Sequence, residues 1–192
     1  VTFAESARAV PVGPQTGFVA TGVDRALLFL DVDGTVLPYD AVDELAGEVD
    51  WSIWQQPINP ALSRVSGALG ERLLALGCEL IWATGWAEDA NLVIAPILGL
   101  PHLPVVTLPE YPEGDYFPDG LHWKTRALVD LAAGRPFIWI DDEIRDQDEK
   151  WVRGNHSGRA LLHRVDGMCG LLDTDFADLA DWLRGSTTAG HS

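Results

Sequence analysis

The sequence predicts an α/β fold built on a central parallel sheet. Three observations lead there: short apolar runs without polar alternation, helical patterns between those runs, and a polar residue closing the clearest of them. Strands apolar on both faces belong in a sheet that is covered on both sides. Alternation of such strands with helices implies parallel pairing and right-handed crossovers. At 192 residues the chain is sized for one domain, or one with a modest insertion.

Residues 1–24 carry Pro11, Gly13, Pro14, Gly17 and Gly22 with little periodicity and read as a loosely structured lead-in. The first strand covers 26–30 and stops at Asp31. A helix over 60–76 follows, with Leu62, Val65, Leu69, Leu73 and Leu76 on one face. Asn59 suits its cap, Pro60 its first turn and Gly77 its exit. The second strand, 79–83, stops at Thr84, and a helix near 87–98 leads to a weaker third strand over 104–108. A helix near 124–133 precedes the fourth strand, 137–140, which stops at Asp141. A helix near 143–153, a fifth strand over 159–163 and a helix near 175–184 complete a domain bounded at 25–184. Residues 185–192 read as a frayed tail.

Composition removes several function classes. With 13 Lys+Arg against 29 Asp+Glu the net charge is −16, which repels bulk nucleic acid and anionic membrane while allowing one local basic site. No apolar run approaches the ~20 residues that span a bilayer. The longest candidate, 92–106, is interrupted by Pro96, Gly99, Pro101, His102 and Pro104. The start of the chain lacks a basic segment followed by an apolar one, so no signal peptide and a cytoplasmic location are expected. Cys78 and Cys169 form no CxxC and are expected to be buried, reduced thiols. The five histidines show no metal-ligand spacing; His122, two residues before Lys124, reads as a loop or edge residue. Neither GxxxxGK nor GxGxxG occurs.

In parallel sheets ligands sit beyond the carboxyl ends of the strands, so the polar residues there carry the chemistry. Asp31 and Asp33 would share a direction if the strand geometry continued, and Gly34 then allows a sharp turn. Two such carboxylates can divide the work of nucleophile and general acid/base, as in phosphoryl transfer through an aspartyl-phosphate. Thr84 and Gly85 offer a hydroxyl and amides to a phosphate oxygen. Lys124 opens a helix, where the dipole disfavours a cation unless it faces an anion. Asp141, Asp142 and Glu143 repel one another unless a cation answers them. With Asp31 they make a hard oxygen set that suits Mg²⁺ better than Zn²⁺. Asp146, one helical turn on, is an outer-shell candidate but reads better as a solvated helix residue.

This order of residues resembles the haloacid dehalogenase (HAD) superfamily. Asp31-x-Asp33-Gly34-Thr35, Thr84, Lys124 and Asp141-Asp142 match its four motifs, over residues 26–165. The resemblance implies a three-layer α/β/α Rossmann-like fold and Mg²⁺-dependent phosphomonoester hydrolysis. It implies that Asp31 is nucleophile and metal ligand, and that Asp33 is the acid/base, with its backbone carbonyl on the metal. Thr84, Gly85 and Lys124 would hold phosphoryl oxygens. Asp142 would be a metal ligand and Asp141 its orienter, or the reverse. Dehalogenase members need no acid/base two residues past the nucleophile, and the transporting ATPases have Thr there, so phosphatase chemistry is the expectation.

Family members often carry a cap domain, yet only 48 positions (36–83) and 39 positions (85–123) separate the motifs, too few for a full cap. The site is therefore expected to be open, covered at most by loops 36–58 and 108–123. Their aromatics, Tyr39, Trp51 and Trp54 in the first and Tyr111, Tyr116, Phe117 and Trp123 in the second, either recognise substrate or pack on the sheet edge. The expected partner is a phosphorylated substrate, either a small molecule or a macromolecular end. A nucleic-acid 3′-phosphatase is one alternative, and a non-catalytic phospholigand- or protein-binding module is another.

Overall fold

The computed structural model describes residues 25–40, 51–110, 117 and 119–187. Four strands, β1 (Leu27–Leu30), β2 (Glu79–Trp82), β3 (Phe137–Asp141) and β4 (Ala160–Arg164), form an all-parallel sheet in the order β2-β1-β3-β4. Each coincides with a predicted apolar run. The register pairs Leu30 with Trp82 on one side and with Ile140 on the other. Consequently the residues that follow these three, including Asp31, Thr84 and Asp141, emerge along one edge of the sheet.

Side chains alternate across the strands, and both faces are packed. Leu28, Leu30, Ile138 and Ile140 join one apolar cluster with Leu73, Ile94, Leu98 and Leu179. Leu27, Phe29, Phe137 and Trp139 join a second with Leu128, Val129 and Val152. These partners come from α1 (Gly67–Ala75), α2 (Ala95–Leu98), α3 (Thr125–Ala132), α4 (Asp146–Asn155) and α5 (Asp173–Thr187), and from a π-helical turn at Ala90–Ile94 that runs into α2.

Several expectations need correction. The helix over 60–76 is two pieces. Asn59 does cap the first, its Oδ1 accepting from Ala61 N at 2.9 Å, but that piece is a 3₁₀ turn over Pro60–Arg64. The chain is extended at Val65 and Ser66, and Ser66 Oγ then accepts from Ala68 N at 3.3 Å to start α1. The expected strand over 104–108 is reduced to one bridge between Val105 and Trp82, with Trp82 N donating to Pro104 O and Val106 N donating to Trp82 O, both at 2.9 Å. Pro101, Pro104 and Pro109 lack the amides a longer ladder needs. The helix expected from 143 begins only at Asp146, where Asp148 Oδ2 accepts from Arg145 N at 3.1 Å. Helix α5 continues through Thr187, so the tail drawn from 185 starts inside it. Cys78 is buried as expected, whereas Cys169, in the turn after β4, is exposed. The lead-in 1–24, the tail beyond 187 and parts of both aromatic loops lie outside the described residues. Among the described residues, no helix is long and apolar enough to cross a membrane.

Candidate active site

Asp31 follows β1 directly, and its amide extends the sheet pairing by donating to Ile140 O at 3.2 Å. Its carboxylate is 8% exposed and meets the Lys124 ammonium at 2.7 Å. Lys124 opens α3, and its Nζ is shared: a second ion pair, at 2.8 Å, goes to Asp141 at the end of β3. Three buried charged side chains from three segments thus meet at the carboxyl end of the sheet. The conflict between a lysine and a helix N-terminus is resolved by these two anions.

The two members of the acidic pair are held differently. Asp141, fully buried, has both oxygens engaged: Oδ2 accepts from Lys124 Nζ and from the Trp139 indole at 3.1 Å, and Oδ1 accepts from Glu143 N at 3.0 Å. Asp142 lines the open pocket, and its carboxylate sits between Gly34 and Gly167. A Cβ at Gly34, which adopts φ +65°, would come within 2.5 Å of Asp142 Oδ2, as would a Cβ at Gly167. Both positions need glycine for Asp142 to stand where it does.

Asp33 is clamped by two tryptophans. The Trp54 indole donates to Oδ1 at 2.7 Å and the Trp86 indole to Oδ2 at 2.9 Å. Trp54 belongs to the first aromatic loop, so at least this aromatic touches a predicted site residue rather than only covering the sheet. Trp86 is a residue the sequence reading did not single out. Its place two residues after Thr84, whose Oγ1 accepts from Trp86 N at 3.3 Å, is the only local signal for it.

The pocket itself is about 120 Å³ and is lined by Asp31, Asp33, Tyr39, Gly85, Trp123, Lys124, Asp142 and Glu143. Thr84, although buried, lines the adjoining groove instead. His122 is fully buried, not a loop-edge residue. Its Nε2 lies 3.1 Å from Glu143 Oε2, and its amide donates at 2.9 Å to Asp148, which also accepts from Thr125 Oγ1. Asp148, which the sequence reading passed over, therefore ties the start of α3 to the start of α4. Asp146 is exposed, the solvated helix residue that the sequence suggested.

The electrostatics follow from crowding. Among the described residues, five carboxyl groups (Asp31, Asp33, Asp141, Asp142 and Glu143) surround one ammonium. Burial alone would push Lys124 down, but Asp141 and Asp31 more than reverse it, and the lysine stays charged. Burial pushes Asp141 up, and Lys124, with His122 and the Glu143 amide, holds it net low. Asp31 is raised well above the usual range, by burial first, with Asp141 and Asp33 adding to it against Lys124. Asp33 is raised by burial, opposed by its two indole donors. Asp142 is pushed up to about 7 by burial and by Asp141 and Glu143. One lysine does not neutralise this group.

The unanswered negative charge fits a divalent cation. Asp31, Asp141 and Asp142 each present a carboxylate oxygen, all within 4.8 Å of one another. His122, Asp141 and Glu143 form a second such set. The first set is purely hard oxygen, the donor type Mg²⁺ takes, and a cation there would relieve the raised Asp31 and Asp142 together. Comparison of the chain with protein-family models, with curated proteins and with solved structures gave no match.

Proposed function

We propose that this protein is a phosphomonoester hydrolase with Asp31 as nucleophile, built on a three-layer HAD-like α/β/α fold without a full cap. The observation that carries the reading is the Lys124 ammonium held between Asp31 at 2.7 Å and Asp141 at 2.8 Å, with Asp33 and Asp142 on the same small pocket. A bound phosphoryl group there meets a carboxylate, a cation and a second carboxylic acid together.

In the first half-reaction Asp31 Oδ forms a bond to phosphorus while the bond from phosphorus to the ester oxygen breaks. The departing oxygen takes its proton from Asp33, whose burial favours the protonated form. In the second half, water attacks the aspartyl-phosphate, Asp33 takes the water's proton, and the Asp31–phosphorus bond breaks to release phosphate. The Trp54 and Trp86 indoles hold the Asp33 carboxyl in one orientation through both halves. Lys124 neutralises phosphoryl oxygens, and Asp141 fixes the direction of that ammonium.

Asp142 and Asp31, with the Asp33 carbonyl, would hold Mg²⁺. Asp141 suits an orienting role better, because Lys124, Trp139 and Glu143 already occupy both its oxygens. A bound Mg²⁺ would supply positive charge to the phosphoryl oxygens as negative charge develops on them. The two free thiols suit a reducing, cytoplasmic setting.

The test is phosphate release from phenyl phosphate with Mg²⁺ and with chelator, for wild type and Asp31→Asn. Turnover that needs Mg²⁺ and is lost in the variant supports the reading. Turnover retained in Asp31→Asn would remove Asp31 as nucleophile.

A further inference from the structure

The acidic pocket does not stand alone. Beside it lies a groove of about 690 Å³, walled by Thr84, Val105, Val106, Leu108, Pro109 and Trp123. Gly85 and Trp123 line both cavities, so the two are contiguous. The Trp123 ring stands at the junction, its centroid 5.6 Å from Lys124 Nζ.

The far wall of the groove is pinned. Asn91 Oδ1 accepts from Leu103 N at 2.9 Å and from the Trp82 indole at 3.0 Å, while its Nδ2 donates to Leu103 O at 2.9 Å. Trp82 in turn holds residues 104–106 by two backbone hydrogen bonds. The shape is therefore set before any ligand arrives, which limits the ordering cost of binding.

Charge decides what the groove takes. Its described lining residues include no lysine or arginine, and Glu88 stands at its rim. The sequence from 73 to 123 contains no Lys or Arg at all, against Glu79, Glu88, Asp89, Glu110, Glu113, Asp115 and Asp119. A leaving group with further phosphates would meet no cation among the described lining residues and one carboxylate, Glu88. An uncharged ring would meet Val105, Leu108, Pro109 and the Trp123 indole.

Resting on the phosphatase reading, we infer that this groove is the leaving-group subsite and selects monophosphate esters of uncharged aryl groups over nucleotide and polynucleotide phosphates. The phosphate occupies the acidic pocket, and the ring lies past Gly85 against Trp123.

The test separates binding from turnover. Calorimetric titration of 2-naphthylphosphonate and phenylphosphonate, neither hydrolysable, into the Mg²⁺-loaded protein reads the groove alone. The larger ring should bind at least about tenfold more tightly, the discrimination an apolar pocket gives a few extra carbons. In turnover, 2-naphthyl phosphate should exceed phenyl phosphate by a similar factor, carried in KM, and a 3′-phosphorylated dinucleotide should be slowest. Thr107→Lys, at an exposed groove residue, should narrow the gap between naphthyl phosphate and the dinucleotide. Equal binding of the two phosphonates, binding of neither, or a dinucleotide that outruns both aryl esters would overturn the inference. Ring-selective phosphonate binding without Asp31-dependent turnover would instead overturn the phosphatase reading and leave the groove standing.

Discussion

Replacing Lys124 by Met keeps the length and apolar stem of the side chain while removing the ammonium. Two carboxylates then face each other with no cation: Asp31, 8% exposed, and Asp141, fully buried. Breaking a buried ion pair by removing one partner costs about 3–5 kcal/mol. The lower end applies here, because Asp141 keeps the Trp139 indole and the Glu143 amide, and Asp31 is already displaced toward its protonated form. About 3 kcal/mol in a chain of this size lowers the melting temperature by roughly 6–12 °C. The assay is a thermal melt followed by circular dichroism near neutral pH in chelator. The loss should shrink as pH falls. Without the lysine both carboxyl groups have folded-state pKa values above their unfolded ones, so the fold gains relative stability from binding their protons at low pH and loses it as pH rises. Mg²⁺ should raise the melting temperature of the variant more than that of wild type. A variant melting within about 2 °C of wild type at neutral pH would refute the account of a charge-dense site that depends on one lysine.

Three further outcomes are expected. Asp142 is raised to about 7 in the fold, so its ionisation opposes folding as pH rises from the ordinary carboxylate range toward 7. Without metal, Asp142→Asn should therefore gain stability over wild type across that interval and show no gain below it; a gain that is the same at every pH would contradict this. Gly167→Ala should weaken Mg²⁺ binding although residue 167 is no ligand, because its Cβ would press within 2.5 Å of Asp142 Oδ2; unchanged affinity by calorimetry would show that Asp142 does not hold the ion. An alkylating reagent at mildly alkaline pH should label exposed Cys169 quickly and Cys78 only on unfolding, since burial holds the Cys78 thiol up at about 11; two equally fast labels would argue against the packing around β2.

Much of this architecture is legible in the sequence. Each of the four strands lies where an apolar run predicts it; in the central β1 and β3, buried at every position, no polar residue enters before the strand's end, while half-buried edge strand β4 already carries His163. The same rule exposes Asp31, Thr84 and Asp141 as the places where burial stops and chemistry begins. What stays hidden is non-local. Nothing near Trp54 or Trp86 says that both indoles will converge on Asp33, since 21 and 53 residues separate them from it. Asp148 looks like one more surface carboxylate until α3 and α4 are side by side and it is seen to accept from His122 N, Thr125 Oγ1 and Arg145 N. The break at Ser66 was available locally, as an N-cap residue inside a continuous apolar stripe, and the stripe masked it. The weaker run over 104–108 shows the limit of apolarity as a guide: its valines are right for a strand, but the flanking prolines leave too few amides to pair.

The central claim is that Asp31 becomes phosphorylated. Acid quench of the protein during turnover of 2-naphthyl phosphate, followed by peptide mass spectrometry, reads it directly. The account predicts a hydroxylamine-labile phosphoryl group on the peptide containing Asp31, more abundant in Asp33→Asn, where hydrolysis of the intermediate is slowed, and missing from Asp31→Asn. Steady turnover with no phosphorylated Asp31 in wild type or in Asp33→Asn would contradict it.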